Sequence, residues 1–570
     1  MTQLDFHYLI YALIAQPLIG LLLIPVSKTS PRISGAAATL SSAAPLLLLP
    51  FTPNYEDSLF VFDEVSRVFA VVISFIGFLC MLYSSEYMRH DEAQGRYYFW
   101  MLVFLASMML LVMANNLLVF LLAWELTGLC SFSLIAHWNS RREALAGAYK
   151  ALIVTEVGSS FLLLGLVLVG VEAMSKASSA VSTAAQLLIL VGALAKSAQY
   201  PLLLWLPDAM EAPTPVSAYL HAAAMVKAGF YVLVRLYSAL STLLPLALLL
   251  GCVSMLAGGM LMLFARDIKR VLAYSTVSHL GLLFSAVTVG VLPALLHFLN
   301  HAVAKALLFL SAGAVEHETG GRRGIEELGG LAGQMPLTAA VFTLGALSLS
   351  GVPPLGGFVS KWLVLWAALQ AGGWGWLLAA TLLVTSVLTF MGLMRVVGGV
   401  FFGSPVKGVR ARDPHLPMLL PMLILAAGTL LLGALAGPVV TWLQSAAPQV
   451  WEVGALSLLA LALSLVVVCV SAAAYVAAAG RIRTTLYVCG EEVDPEVVRV
   501  SGIPLYADLQ RTTAALQLLL DPDKWLPRLC RSLLSGLERL ALGGRVRYTV
   551  LALSLALLVL AALVEVVPHA

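Results

Sequence analysis

The sequence predicts an all-α, polytopic membrane protein, and three observations carry that prediction. Of 570 residues, 60% are hydrophobic and only 11% charged, where an ordinary soluble domain carries about 25% charged residues. Apolar runs long enough to cross a hydrocarbon core of ~30 Å, which takes ~20 helical residues, recur along nearly the whole chain. Isolated strands are excluded in lipid, because their backbone groups would stay unpaired.

About sixteen such segments follow one another, at residues 6–26, 32–52, 62–84, 98–114, 116–137, 147–171, 182–205, 213–236, 243–264, 271–291, 293–315, 336–370, 375–402, 417–442, 453–479 and 547–567. The first has Asp5 and His7 at its start and no basic stretch ahead of it. It reads as a retained membrane helix rather than a cleaved signal peptide. Basic residues test the count. Connections after odd-numbered segments hold Lys28 and Arg32; Arg89 and Arg96; Arg141 and Arg142; Arg266, Lys269 and Arg270; Arg322 and Arg323; Lys407, Arg410 and Arg412. Connections after even-numbered segments hold almost none, Lys176 being the exception. Basic loops face the cytoplasm, so the reading places the N-terminus outside and the chain in the cell's inner or plasma membrane.

Two regions depart from plain spanning helices. Between Gly480 and Arg547 the chain turns polar and basic. Leu509 to Leu520 and Trp525 to Leu542 keep helical apolar spacing, broken by Pro522 and Pro527. They suit helices lying along the membrane surface or a partner's flank, the alternative being a solvated loop with helical fragments. The run from Tyr548 to Val567 then re-enters the bilayer as a final anchoring helix. The second departure is helix breaking. Pro201, Pro207, Pro213 and Pro215 crowd the junction of the seventh and eighth segments, and Ser350-Gly351-Val352-Pro353-Pro354-Leu355-Gly356-Gly357 interrupts the twelfth. Discontinuous helices in corresponding halves point to inverted repeats around a mid-membrane ion path. The expected organisation is N-terminal helices at 1–97, two inverted five-helix repeats at 98–236 and 243–402, further membrane helices at 403–480, a lateral segment at 481–546 and the anchor at 547–570.

An ionisable group at the centre of a membrane helix costs ~2.5–3.5 kcal/mol by insertion scales, yet this chain keeps several. Glu125 sits inside segment five, Lys196 inside segment seven, His221 and Lys227 in segment eight, and Lys361 after the break in segment twelve. In segment eleven His297, His301 and Lys305 are spaced i, i+4, i+8, which puts all three on one helical face. Lys150, Arg235 and Arg395 lie near segment ends, where long side chains snorkel to the interface. A lone membrane histidine is more often a satisfied hydrogen-bonding group than a relay; three titratable groups on one apolar helix are harder to assign to chance. Lysine suits proton work only where its site disfavours the charged form. Bringing a pKa of ~10.4 to ~7 takes about 4 kcal/mol, and a carboxylate that approaches or withdraws supplies a change of that order. Histidine, with a pKa near ~6.5, relays at little cost.

The six cysteines (Cys80, Cys130, Cys252, Cys469, Cys489 and Cys530) are scattered, which argues against an iron–sulfur or zinc centre, since those need clustered thiolates. The sequence carries no cofactor motif, and nothing in its net charge of +3 points to a nucleic-acid partner.

At the buried charges the sequence resembles the antiporter-like subunits of respiratory complex I, Mrp-type cation/proton antiporters and membrane-bound nickel–iron hydrogenases. The resemblance rests on Trp124-Glu125-Leu126-Thr127-Gly128, Ala195-Lys196-Ser197-Ala198-Gln199, Trp205-Leu206-Pro207-Asp208-Ala209-Met210-Glu211-Ala212-Pro213-Thr214-Pro215, His221-Ala222-Ala223-Ala224-Met225-Val226-Lys227, His301-Ala302-Val303-Ala304-Lys305 and Gly357-Phe358-Val359-Ser360-Lys361, and spans roughly residues 60–405. It implies a subunit without a redox or catalytic centre of its own, moving protons, or alternatively sodium, in response to electron transfer elsewhere. Glu125 and Lys196 would form the switch of the first half-channel and Lys305 the central lysine. His297 and His301 would connect toward Lys305, His221 and Lys227 would lie on a broken eighth helix, and Lys361 would sit near an exit. Partners would be other membrane subunits and soluble redox subunits with iron–sulfur or nickel–iron centres. A sodium/proton antiporter subunit and an energy-coupling subunit of an inorganic-carbon uptake complex are the alternatives. Where the large complex I subunit carries a basic residue and an aspartate in segment six, this chain reads Thr155-Glu156-Val157-Gly158-Ser159. Glu156 is thus an accessory candidate, together with Lys150. The tail lacks one very long lateral helix, and its Tyr487-Val488-Cys489-Gly490-Glu491 and Gly543-Gly544-Arg545-Val546-Arg547-Tyr548 look more like hydrogenase-associated tails.

Overall fold

Short polar residues at the mouths of apolar runs set where the helices begin. The side chains of Asp63, Asn116, Ser182 and Asp267 accept hydrogen bonds from the backbone amides of Ser66, Leu118, Ala185 and Arg270, satisfying donors that a helix N-terminus leaves open. A computed structural model describes residues 6–169 and 181–447, with 520–522 and 525. In chain order the elements are α1 (Phe6–Thr29), α2 (Pro31–Leu48), a two-stranded antiparallel hairpin of β1 (Tyr55–Glu56) and β2 (Val61–Phe62), α3 (Glu64–Tyr87), α4 (Gln94–Met113), α5 (Leu117–Ile135) and α6 (Arg142–Val169). There follow α7 (Thr183–Lys196), α8 (Trp205–Asp208), α9 (Thr214–Ala222), α10 (Met225–Arg235), α11 (Leu244–Phe264), α12 (Ile268–Val289) and α13 (Val291–Glu318). The series closes with α14 (Pro336–Ser350), α15 (Gly356–Ala371), α16 (Trp374–Val396), α17 (Leu416–Ala434) and α18 (Ala436–Gln444).

Among the described residues 12 helical spans are long and apolar enough to cross a membrane, and two shorter apolar helices, α7 and α14, lie where the sequence predicts broken segments. The chain is therefore a polytopic all-α membrane protein. The expected total of sixteen is not reached by these spans: the segments at 453–479 and 547–567, and nearly all of the lateral stretch 481–546, lie outside the described residues. The eighth segment divides into α9 and α10 at Ala223-Ala224, the broken eighth helix that the family resemblance implies, although no proline or glycine announces it there; the fourteenth, expected as one span, divides into α17 and α18 at Leu435. The twelfth breaks as predicted: α14 ends on Gly351 at φ 85°, whose amide reaches the carbonyls of Leu347 and Ser348, and Pro353-Pro354 forbids continuation.

Burial sorts the helices into a centre and a rim. The α9–α10 span and the membrane-spanning stretch of α13 are buried, and α12 nearly so, while α1, α6 and α17 keep most of their surface outside. The rim shows Leu22, Leu40, Leu118, Ile153, Leu383 and Leu431, an apolar exterior suited to lipid and far too extensive for a water-facing surface. Inside, small residues bring backbones together, as membrane helices require. At Gly258 an added Cβ would come 2.5 Å from the Ser278 amide nitrogen, so α11 and α12 touch almost backbone to backbone. End charges expected to snorkel are buried instead. Arg235 pairs with Asp63 at 2.5 Å, and Arg395 donates to the carbonyls of Leu263, Met262 and Ala265 at the end of α11.

One loop contact yields a prediction. Asp91, between α3 and α4, receives hydrogen bonds from His137 Nε2 at 3.1 Å and Trp138 Nε1 at 2.9 Å, tying that loop to the one after α5. Burial alone would raise its pKa, but the His137 and Trp138 hydrogen bonds and the Ala93 amide outweigh it and bring the value to about 2. A carboxyl depressed in the folded state stabilises above its unfolded pKa, near ~3.9, and the gain is lost as pH falls toward 2. We expect Asp91→Asn to cost about 2 kcal/mol at neutral pH. The melting-temperature gap between variant and wild type in detergent should shrink as pH drops from 5 to 2; a gap independent of pH would dismiss the assignment.

Candidate functional site

The charges that the sequence singled out fall into two groups. The first lies between α5, α6 and α7. Lys196, the last residue of α7, is fully buried. Its Nζ donates to the carbonyl of Trp124 at 2.8 Å and sits 4.9 Å from the centroid of the Trp124 ring. That ring is itself fixed by Nε1 donating to Ser159 Oγ at 2.8 Å. Glu125 and Glu156 are half-buried on α5 and α6, close enough to act electrostatically on each other and on Lys196; an added Cβ at Gly128 would come 2.8 Å from Glu156 Oε1 and 3.4 Å from Lys196 Nζ. The expected pair is thus a triad, with Glu156 as its third member. Lys150 takes another course: it forms an ion pair with Asp208 of α8 at 2.8 Å, a carboxylate shared with Arg270 at 3.3 Å.

The second group occupies the centre. Lys227, just after the α9–α10 break, is fully buried with Nζ 2.8 Å from His301 Nδ1. His301, His279 and His297 form a cluster of rings, with centroids 5.3 Å apart from His279 to either neighbour. His279 Nδ1 lies 3.1 Å from His297 Nε2, and His297 Nδ1 lies 3.1 Å from Ser360 Oγ, the residue before Lys361. Lys361 Nζ donates to the Ser350 carbonyl at 3.3 Å and to Ser386 Oγ at 3.2 Å. A small cavity between Lys361 and His279 is lined also by Ser278, Thr385 and Thr389. Lys305 is fully buried, donating to the Leu272 carbonyl at 2.7 Å and to Ser275 Oγ. His221, at the end of α9, packs against Phe309 with ring centroids 4.6 Å apart and planes tilted by 31°.

The helical face of His297, His301 and Lys305 thus does not work as a single file. Each residue turns from α13 to other helices: His297 to α12 and α15, His301 to α10 and α12, Lys305 to α12 at a separate point. What joins them laterally is His279, which the sequence reading passed over. The signal was available, since His279 stands mid-segment in Ser275-Thr276-Val277-Ser278-His279 and meets the same test of an intramembrane ionisable group. Lys269, read as a loop charge, is likewise buried, only 1% exposed.

Of these seven lysine and histidine positions, Lys227, His301, His279 and His297 touch in turn and reach Ser360 beside Lys361, an arrangement that can hand a proton along its length. Each histidine ring accepts at one nitrogen and releases from the other, and the lysines bound the file. A buried polar file of this kind is costly in a membrane core and is kept where it carries ions. We expect His279→Ala to lower ion transport roughly tenfold or more, in line with the loss of one positioned proton carrier. Transport at the wild-type rate would remove His279 from the file.

Known proteins resemble this chain in sequence and fold. Residues 114–389 match the family described as NADH:quinone oxidoreductase/Mrp antiporter, transmembrane, and residues 57–98 match the N-terminus of complex I chain 5. The NADH-quinone oxidoreductase subunit L of Mycobacterium tuberculosis is 40% identical over 405 residues, which are 67% of this chain and 64% of that protein. The Na(+)/H(+) antiporter subunit A1 of Staphylococcus aureus is 34% identical over 446 residues, 70% of this chain and 55% of the relative. The chain thus spans less than two thirds of the length of these curated relatives. The structure of an Mrp complex from Dietzia sp. superposes with a TM-score of 0.74 at 29% identity, covering 98% of this chain and 63% of that one. Broken helices, buried lysines and these matches together place the chain in the superfamily of antiporter-like membrane subunits shared by complex I and the Mrp antiporters.

Proposed function

We propose that this chain is a proton-translocating membrane subunit of a multi-subunit redox complex of the complex I type. The observation that carries it is the file of buried titratable groups from Lys227 through His301, His279 and His297 to Ser360 and Lys361. With no carboxylate in that file, it is better suited to protons than to a metal cation, which takes oxygen ligands. The triad of Glu125, Glu156 and Lys196 would act as the input switch. Residues 98–236 and 243–402 would form two inverted half-channels, a division supported by one broken apolar helix in each, α7 in the first and α14 in the second. The alternation of basic loops supports an outside N-terminus in a plasma membrane. Soluble redox subunits with iron–sulfur centres, with or without nickel, would drive the motion, a reading supported by the subunit L relative.

A second reading, a sodium/proton antiporter subunit, is favoured by the subunit A1 relative and by the Mrp complex superposition. Reconstitution of the native complex in liposomes separates them. Under the first reading, proton movement persists in sodium-free medium and depends on a redox substrate, and iron copurifies. Proton movement that stops without sodium and ignores electron donors would establish the second instead.

A further inference from the structure

Two facing helical stripes at one end of the central lysine site have no role in the path described so far. On α9, Thr214, Ser217 and His221 are spaced i, i+3, i+7 and so share a face. All three are buried, at 0%, 1% and 0% exposure. On α13, Lys305, Phe309, Gly313 and Glu316 are spaced by four, four and three and likewise share a face. The stripes meet at both ends. Thr214 Oγ1 donates to Glu316 Oε2 at 2.5 Å, and the His221 ring packs against that of Phe309. Opposite Thr214 stands Gly313, where an added Cβ would come 2.6 Å from Thr214 Cγ2; the glycine keeps the two helices close there.

Between these ends polar atoms are left over. Ser217 Oγ and both ring nitrogens of His221 are buried without a hydrogen-bond partner, as is Tyr219 Oη on the same helix. Such groups are rare in folded proteins and are satisfied by ordered water wherever the site is polar. His221 also lies within electrostatic reach of Lys305, Lys227 and Lys269. The outer end of the stripe is open to solvent: the Glu316 side chain is 13% exposed and sits 3.5 Å from the Lys269 ammonium. Arg323 stands 3.9 Å away on its other side, itself paired with Glu211 and Asp267. Lys269 is held by the Ala212 carbonyl at 2.9 Å and lies one helical turn before Leu272, the acceptor of Lys305.

We infer that Glu316 is the port through which protons reach the central lysine, entering from the face that carries Arg266, Arg270, Arg322 and Arg323. The inference rests on the proton-translocating reading above and adds its entry. The Glu316 carboxylate takes a proton from solvent and becomes neutral, which loosens its hold on Lys269 and Arg323. The proton passes along water held by Ser217 to one His221 nitrogen, leaves from the other, and arrives at the neutral Lys305 amine. Glu316 is left ionised between its two cations, ready for the next proton.

The test uses the native complex in membrane vesicles, with proton transport normalised to assembled subunit. Glu316→Gln should lower transport at least tenfold, and Glu316→Asp, which restores an ionisable carboxyl, should recover at least half of the wild-type rate. Recovery by Asp separates proton delivery from a packing role. Wild-type transport in Glu316→Gln, while Lys305→Ala abolishes transport, overturns the port and leaves the central reading standing. Transport that survives Lys305→Ala overturns that reading itself. Should Glu316→Gln fail to assemble, Ser217→Ala decides: a drop of at least threefold upholds the stripe, and an unchanged rate overturns it.

Discussion

Replacing Lys305 with alanine should abolish proton transport, with losses of a hundredfold or more, while the complex still assembles. Assembly is expected because the lysine's main acceptor is not abandoned: the Leu272 carbonyl also receives Ser275 Oγ at 2.9 Å. Removing a buried cation moreover relieves a desolvation cost, so the loss of its hydrogen bonds is partly offset. Lys305→Arg sharpens the test. Arginine keeps the charge and the donors but stays protonated at any accessible pH. If Lys305 works by releasing a proton, the arginine variant fails as completely as the alanine variant. Normal pumping in Lys305→Arg would make the residue a fixed charge and end its role as a carrier. The measurement is acidification of inverted vesicles driven by the complex's own substrate, normalised to assembled subunit.

The second large effect concerns the triad of Glu125, Glu156 and Lys196. Two carboxyls within electrostatic reach share the task of countering one buried ammonium, so each covers in part for the other. Glu125→Gln and Glu156→Gln should each leave a reduced rate, lower by about three- to tenfold, and the double variant should lose transport altogether. A double-mutant cycle then shows strong non-additivity, as expected of groups in direct contact. If the double variant pumps normally, the switch lies elsewhere. If Glu125→Gln alone abolishes transport, Glu156 is a bystander and the switch is the simple pair that the sequence suggests. Lys196→Ala should match the double variant, since the carboxyls then have nothing to release.

Much of the architecture was legible in sequence because lipid imposes a simple rule. A span must be helical and apolar, so composition alone marks it, and the described helices fall close to the apolar runs. The breaks after Lys196 and Ser350 were legible too, because proline cannot donate to a helix and glycine ends one cheaply. The break at Ala223-Ala224 was implied by the family resemblance but not legible in the residues themselves. Alanine favours helix, and the interruption there depends on what α9 and α10 each pack against.

The buried charges were found one residue at a time, by their cost in an apolar segment. Their partners were not. Helical periodicity put His297, His301 and Lys305 on one face, which is true of α13 and misleading about their contacts. Long side chains reach whichever helix lies nearest, and that depends on crossing angles no single segment encodes. His279 was missed because histidine is only weakly polar when neutral and looks unremarkable among Ser and Thr. Lys269 was missed because it stands at the start of its helix, where a lysine is ordinarily solvated; only the closure of α9 and α13 over it shows otherwise.

By itself, the sequence determined the class of molecule, the order of its spans, the proline-marked breaks and the identity of most costly charges. All of these follow from local chemistry: hydrophobic length, backbone hydrogen bonding and the price of an ion in lipid. The tertiary structure decided which charges meet. It turned a pair at Lys196 into a triad, routed the central lysine away from its own helix, and supplied His279 as the link. Contacts between residues far apart in the chain are set by how helices cross and how closely glycines let them approach, as between Lys196 and Trp124, 72 positions apart, or Thr214 and Glu316, 102 apart, and that geometry belongs to the whole bundle.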